Sequence, residues 1–189
     1  MSRLESKLKG LVEFWRLAAR LKQEHRKGWV QKLQLVEAES VADHSFGVAL
    51  LTLYEGERRR FDIAKLLKFA LIHDLEEAVT GDFTPHDKRV LGARSVKRAR
   101  RYGINYVLTR LPPSARNEYR RLWTELKGGK TREARLLKDL DLLEMALQAR
   151  EYERGGTKRE KLMEFYSSAI REIQDPACKR IVGQLAVSS

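Results

Sequence analysis

Apolar residues recur at spacings of three and four along most of the chain, which is the pattern of amphipathic α-helices. No segment alternates apolar and polar residues as a half-buried strand would. The four prolines and most glycine pairs separate the apolar stripes, so we predict an all-α fold of six to eight helices. The predicted segments run from the start of the chain to about Leu21, from Val41 to near Gly56, from Phe61 to Ile72 and on towards Val79, and over Val90–Leu108, Pro112–Leu126, Thr131–Tyr152, Leu162–Ile173 and Pro176–Leu185.

Local signals refine this pattern at three places. Ser40 with Asp43 three residues later predicts a capping box at the start of the second helix. The Phe61–Ile72 segment is apolar on several faces, which indicates a buried central helix. Gly103 is interpreted as a weak point within the Val90–Leu108 helix, because glycine disfavours helical backbone.

Length and composition narrow the class of protein. A chain of 189 residues fits a single domain, which we place at residues 1–189. A hydrophobic fraction of 42% with 34% charged residues excludes a disordered chain. No apolar run approaches the roughly 20 residues that span a bilayer, and the charged N-terminus carries no export signal. Cys178 is the only cysteine, which excludes a disulfide framework and a cysteine zinc site, so we expect a cytoplasmic protein.

Positive charge is concentrated in one segment. The net charge is +12, and Lys88–Arg121 holds eleven basic residues against one acid, Glu118. Such a segment raises the possibility of nucleic-acid binding. We favour a solvated, Arg-rich helix face, because the tyrosines at 102, 106 and 119 are too scattered for a single-strand binder. We therefore predict no nucleic-acid partner, and keep a basic nucleic-acid-binding protein as an alternative.

The candidate chemistry begins at His73-Asp74, after the most apolar segment. If the helix continues, Glu77 lies on the same face as both, since the spacings are i, i+3 and i+4. Two carboxylates beside an imidazole repel each other unless a proton or a cation lies between them. Imidazole and carboxylate ligands suit Mn, Fe, Co, Ni or Zn, and His44 offers a second nitrogen.

A further carboxylate, Asp141, falls on the apolar face of the Thr131–Tyr152 helix. A carboxylate facing the core is usually paired or metal-bound, so a metal ligand and a structural cap or ion pair both stay open. Asp139 points elsewhere on the same helix, and we expect it to lie in solvent.

Four motifs carry a family resemblance. They are Arg26-Lys27-Gly28-Trp29, Glu39–Ser45, Ala70–Asp82, and Leu137–Asp141 with the sequence that follows it to Glu153. In this order they resemble the HD-domain metal phosphohydrolases, and within them the small 5′-deoxynucleotidases. The similarity extends from about Leu11 to Ile181.

The resemblance implies a role for each matched residue. It implies one divalent metal ion (Mn, Co, Mg, Ni, Fe or Zn), with the ligands His44, His73, Asp74 and Asp141. It implies that Glu77 acts in hydrolysis near the attacking water and the phosphate, that Asp82 lies beside the substrate sugar, and that Arg26 and Trp29 line the nucleotide pocket. It also implies a homodimer. From the chemistry of the residues, either Asp74 or Glu77 could take the proton of the water.

The resulting expectation is an enzyme that hydrolyses deoxyribonucleoside 5′-monophosphates to deoxynucleoside and phosphate. The alternative within the superfamily is another nucleotide phosphate ester, such as an alarmone or a cyclic nucleotide. Taken alone, Trp29 is more often a core anchor and Arg26 more often solvated, while His25 and His86 match no role and are interpreted as surface residues.

One stretch departs from the family pattern. Relatives carry acids on the helix after Pro85, whereas Arg98–Asn105 contains none. We therefore do not expect a second metal site there, and arginine contacts to phosphate are an alternative use of the stretch.

Overall fold

The computed structural model describes residues 3–187, with side chains from Leu8 onward. Within these residues the chain forms eleven α-helices, and the only β pairing is an isolated bridge between His25 and Ser40. The helices are α1 (Arg3–Arg20), α2 (Lys27–Leu33), α3 (Val41–Arg59), α4 (Ile63–Ile72), α5 (Glu77–Thr80), α6 (Pro85–Leu91), α7 (Ala93–Leu108), α8 (Pro113–Gly128), α9 (Arg132–Arg154), α10 (Arg159–Glu172) and α11 (Pro176–Val187). The predicted all-α class is confirmed, and no helix in this range is long and apolar enough to cross a membrane.

The helix count exceeds the predicted six to eight because three short helices, α2, α5 and α6, were not predicted. Helix α2 begins at Lys27, whose backbone N–H donates to Asp82 Oδ2 at 2.9 Å, 55 residues along the chain. Residue 26, at its N-cap position, contributes no side-chain cap, so no local signal marks the start of this helix.

Helix α6 did have a local signal. Thr84 accepts a hydrogen bond from the Asp87 backbone N–H, Asp87 accepts one from the Thr84 N–H, and Pro85 occupies the first turn. This is a capping box with proline at its preferred position. The predicted continuous Val90–Leu108 helix is therefore wrong at its start, because Gly92 (φ 76°) separates α6 from α7.

The predicted continuation of α4 through His73 towards Val79 is also wrong. Helix α4 ends at Ile72, residues 73–76 form turns, and α5 begins at Glu77. The backbone N–H groups of Leu75, Glu77 and Ala78 donate to carbonyls three residues back, as in a 3₁₀ turn. The residues of this segment therefore do not lie at regular α-helical positions.

The chain forms two compact units. The first contains the described residues up to Ser45 together with Leu71–Thr124, and the second contains Phe46–Ala70 and the described residues from Glu125. In the first unit α5 packs against α1 and α7, and α6 packs against α7. In the second unit α9, α10 and α11 pack against one another. The fully buried side chains of Leu66, Phe69 and Ala70 confirm that α4 is a core helix.

Candidate active site

His44 is positioned by the start of α3. The predicted capping box is present: Ser40 N–H donates to Asp43 Oδ2 at 2.9 Å, and Asp43 N–H donates to Ser40 Oγ at 3.1 Å. This cap fixes the first turn of the helix, and His44 follows one residue later with none of its surface exposed. Its Nε2 lies 3.3 Å from Nε2 of His73.

His73 and Asp74 occupy the first two positions of the turn after α4, and both are buried. His73 Nε2 lies 3.3 Å from Asp74 Oδ2 and 3.3 Å from the His44 ring nitrogen. Two nitrogens and one carboxylate oxygen therefore converge in the first unit. This donor set fits a divalent first-row metal, because nitrogens that each bond one ion at about 2.0–2.1 Å lie at a similar separation.

Asp141 lies on α9 in the second unit and is half-buried. Its role as a fourth metal ligand stays a prediction from the resemblance. The expectation for Asp139 was wrong: this side chain is buried, and its carboxylate accepts hydrogen bonds from the backbone N–H groups of Gln174 (2.9 Å) and Asp175 (3.0 Å). Asp139 is thus a structural carboxylate that satisfies two backbone N–H groups in the connection between α10 and α11.

Arg26 lies beside the converging donors. Its Nη1 is 3.3 Å from Asp74 Oδ2, and its side chain is largely buried, so the solvated alternative does not hold. The backbone N–H of Arg26 donates to the Glu39 carbonyl at 3.0 Å, which fixes the start of the segment that leads into α2. A guanidinium presents five N–H donors in a planar fork, a geometry that suits a phosphate group.

Trp29 is a core residue of the first unit, with 1% of its surface exposed. Its indole Nε1–H donates to Glu39 Oε1 at 2.7 Å, which satisfies the polar atom of a buried ring. Trp29 is therefore a core anchor, and a contact between Trp29 and a nucleotide sugar stays a prediction.

Asp82 is buried and connects two segments. Its Oδ2 accepts from the Lys27 backbone N–H, its carbonyl accepts from Lys27 Nζ at 2.9 Å, and its own N–H donates to Glu24 Oε1 at 3.2 Å. Gly81 precedes it with φ 71°, in the left-handed region that favours glycine. Asp82 thereby caps α2 and holds the Arg26 segment next to the end of α5.

Glu77 is the first residue of α5, and 2% of its surface is exposed. Its Oε1 accepts from Arg100 Nη2 at 3.3 Å, and its Oε2 is buried without a hydrogen-bond partner among the described residues. Burial raises the pKa of Glu77 well above its usual value, and the carboxylates of Asp74 and Asp82 raise it further. A carboxylate whose pKa is raised in this way is a stronger base than that of an exposed glutamate.

Two residues of this site were missed from the sequence. Arg100 on α7 contacts Glu77, and its Nη1 lies 3.8 Å from Oε1 of the fully buried Glu76. Trp123 on α8 donates from its indole N–H to Glu76 Oε2 at 3.1 Å. Gly103 could have indicated this packing, since a glycine one turn after Arg100 can mark a close approach between backbones.

The remaining histidines, His25 and His86, are exposed as expected. His25 Nδ1 lies 2.7 Å from the Ala38 carbonyl, and neither imidazole is among the converging donors described above.

Comparisons with known proteins identify the family of this chain. The family described as "HD domain" matches residues 18–181. A 5′-deoxynucleotidase HDDC2 of Dictyostelium discoideum is 35% identical over 185 residues, covering 92% of this chain and 95% of that protein. The human 5′-deoxynucleotidase HDDC2 is 31% identical, covering 94% and 85%.

A solved structure agrees in fold. A protein from Pyrococcus horikoshii is 33% identical and superposes with a TM-score of 0.76, covering 93% of this chain and 98% of that chain. The family match spans most of the sequence and includes His44, His73 and Asp74. The chain therefore belongs to the HD-domain family.

Proposed function

We propose that this chain is a divalent-metal-dependent 5′-nucleotidase that hydrolyses deoxyribonucleoside 5′-monophosphates to deoxynucleoside and phosphate. The proposal rests on the convergence of three potential metal ligands: His73 Nε2 lies 3.3 Å from both His44 Nε2 and Asp74 Oδ2. Arg26 Nη1 lies 3.3 Å from the same Asp74 oxygen. The 5′-deoxynucleotidase names of relatives that match over most of both chains support the same activity.

The metal would be held by His44, His73 and Asp74, with Asp141 proposed as the fourth ligand from the family resemblance. When bound, a divalent metal supplies a Lewis acid for a phosphoryl oxygen and lowers the pKa of a bound water. The donor set is compatible with several divalent metals, and we propose Mn, Co, Mg, Ni, Fe or Zn as the native ion.

The protein side chains would bind the phosphate, accept a proton and line the sugar side of the pocket. Arg26 would bind non-bridging phosphate oxygens with its planar donors. In the hydrolysis a water oxygen bonds to phosphorus, the bond from phosphorus to O5′ breaks, and O5′ takes up the proton that the water has lost. Glu77 would accept the proton of the water, which suits a buried carboxyl with a raised pKa. We propose that Asp82 and Trp29 line the sugar side of the pocket.

The activity is tested by phosphate release from deoxyribonucleoside and ribonucleoside 5′-monophosphates with Mn²⁺, Co²⁺ or Mg²⁺. We expect hydrolysis of the deoxynucleotides, loss of activity after chelation, and recovery when metal is restored. His73→Ala removes a metal ligand and should abolish activity, whereas His86→Ala, which changes an exposed histidine, should not.

A folded wild-type protein that releases no phosphate with any metal would overturn the proposal. Cyclic nucleotides and an alarmone belong in the same panel. Hydrolysis of these alone would assign the chain to the alternative substrate class.

We also propose that the protein is a homodimer. Leu8, Leu11, Val12 and Trp15 recur at helical spacing on α1, and all four side chains are exposed. Exposed apolar residues in a continuous stripe are typical of an interaction surface. Sedimentation should give twice the chain mass, Trp15→Asp should give a monomer, and Val36→Asp, at an exposed valine outside α1, should leave the dimer intact. A wild-type monomer at micromolar concentration would contradict the proposal.

A single functional domain and a cytoplasmic location complete the proposal. The family match at residues 18–181 draws on both compact units, which supports one HD-type domain. Cys178 is buried and free, which is compatible with a reducing compartment.

A further inference from the structure

Arg100 holds an unusual position for a residue of the basic segment. Its neighbours on α7 include exposed cations, such as Arg98 and Arg101, whereas its own side chain is 21% exposed and turns towards two buried carboxylates. Nη2 lies 3.3 Å from Glu77 Oε1, and Nη1 lies 3.8 Å from Glu76 Oε1. Arg100 therefore contacts the proposed proton acceptor directly.

The packing of α7 fixes where this guanidinium lies. A Cβ on Gly103 would lie 2.9 Å from the Glu76 carbonyl and 3.0 Å from Thr80 Cγ2, so the helix reaches this distance only with glycine. Arg100 is one turn before Gly103, on the same side of α7. Glu76 is held in turn by the Trp123 indole, which donates to its Oε2.

These contacts make the two oxygens of Glu77 different. Oε1 accepts the charge-assisted hydrogen bond from Arg100, while Oε2 is buried and accepts none from the residues that the structure describes. Because a carboxylate is planar, holding one oxygen also fixes the direction of the other. An acceptor that is desolvated and fixed in direction is what general-base catalysis requires.

We propose that Arg100 is a positioning residue that orients Glu77, so that Oε2 is the oxygen that accepts the proton of the attacking water. The inference rests on the proposed hydrolase function and adds to it a residue at which the family pattern carries acids instead. Arg100 acts through Glu77 and is not assigned a contact with substrate.

The test compares Arg100→Gln with Arg101→Gln, which removes one charge from an exposed position on the same helix. We expect Arg100→Gln to lower kcat by about 10- to 100-fold, part of what a general acid–base group contributes, with KM little changed. Arg101→Gln should stay within about twofold of the wild type, as expected for a surface position away from the site. Arg100→Lys should recover part of kcat, since it restores the charge without the planar fork.

A double-mutant cycle separates positioning from other roles. If Arg100 acts through Glu77, then Arg100→Gln should cause no further loss in a Glu77→Gln background. Mn²⁺ affinity by calorimetry should match the wild type in Arg100→Gln, because His44, His73 and Asp74 are unchanged. Additive losses would overturn the proposal, and so would a raised KM with normal kcat, which would indicate phosphate binding by Arg100.

The structure of the Arg100→Gln protein gives an outcome that does not depend on activity. We expect the Glu77 carboxylate to rotate or to occupy two rotamers in Arg100→Gln and to be unchanged in Arg101→Gln. An unmoved Glu77 would overturn the positioning role, even if the wild-type protein hydrolysed no nucleotide and the proposed function itself had failed.

Discussion

The residues of the candidate active site carry signals of very different strength in the sequence. His44, His73, Asp74 and Glu77 could be proposed as site residues from the sequence, because each lies within a short motif. Arg100 and the structural role of Asp139 could not, since their partners lie 23 and 35 or 36 positions away in the chain. Hydrogen bonds over such separations leave no local pattern, although they decide whether a charged side chain is solvated or buried.

Gly103 gives a prediction at the scale of one atom. In Gly103→Ala the new Cβ would lie 2.9 Å from the Glu76 carbonyl, so α7 or residue 76 must move. We expect a loss of about 1–3 kcal/mol in the free energy of unfolding, as for other overpacked sites, and a lower kcat because Arg100 is displaced. Urea denaturation and the phosphate-release assay measure the two effects.

Gly183 provides the matched control. It lies within α11, and a Cβ there would meet no atom within 4 Å. Gly183→Ala should raise stability by up to about 1 kcal/mol, because alanine favours helix more than glycine does. Equal effects of the two substitutions would contradict a close contact between α7 and residue 76 at Gly103.

At the scale of elements, the long helices were predictable and the short ones were not. A stripe repeated over several turns locates α3, α9 and α10 to within a few residues. Helix α2 is too short to repeat a stripe, and its first N–H is capped by Asp82 from a distant part of the chain. The break after Ile72 depends on tight turns at buried residues, and apolar periodicity alone carries no information about such turns.

Helix α7 should be destabilised by its own charges. Arg94, Arg98 and Arg101 are spaced i, i+4 and i+7, all are exposed, and no ion pair is seen for them among the side chains described from Leu8 to Val187. Arg98→Glu would replace two repulsive charge pairs, with Arg94 and Arg101, by two attractive ones. Removing one repulsive pair and gaining one attractive pair are each worth about 0.2–0.5 kcal/mol. We expect a gain of roughly 1 kcal/mol in urea titrations at low salt. The gain should shrink in about 1 M NaCl, where exposed charges are screened, and a salt-independent gain would contradict this cause.

The start of α11 gives a pH-dependent prediction for the second unit. Asp175 accepts from the Ala177 and Cys178 backbone N–H groups and forms a two-contact ion pair with Arg59. The Arg59 guanidinium holds the pKa of Asp175 well below its usual value of 3.8. Its stabilisation is therefore complete above that value, falls as the pH drops below it, and is lost once the pH passes the folded-state pKa.

Asp175→Asn tests this linkage, because asparagine still caps a helix but carries no charge. We expect a loss of about 1.5–3 kcal/mol at neutral pH, the range for hydrogen bonds to charged groups. The difference between variant and wild type should narrow below pH 4. Unfolding curves that stay parallel from pH 7 to pH 3 would show that the charge of Asp175 contributes nothing.

At the scale of the whole molecule, much of the excess positive charge lies on the surface of α6 and α7. Of the eleven basic residues in Lys88–Arg121, Arg100 is committed to the site, whereas most of the others on α6 and α7 are exposed. Tyr102 and Tyr106 stack on each other with ring centroids 6.2 Å apart, and Arg110 lies over the Tyr106 ring. The tyrosines are therefore less scattered than the sequence suggested, yet their faces are partly taken up by one another.

We expect this surface to bind single-stranded DNA only through nonspecific electrostatics. Fluorescence anisotropy should detect binding at low salt that is lost near 150 mM, since displaced counterions dominate such affinity. The triple variant Lys97→Gln, Arg98→Gln and Arg101→Gln should reduce the slope of log K against log salt by about 2, at roughly 0.7 per cation. It should leave kcat and KM for a deoxynucleotide unchanged, because none of the three contacts Asp74 or Glu77. Tight binding that persisted at physiological salt would instead make nucleic acid a partner of this protein.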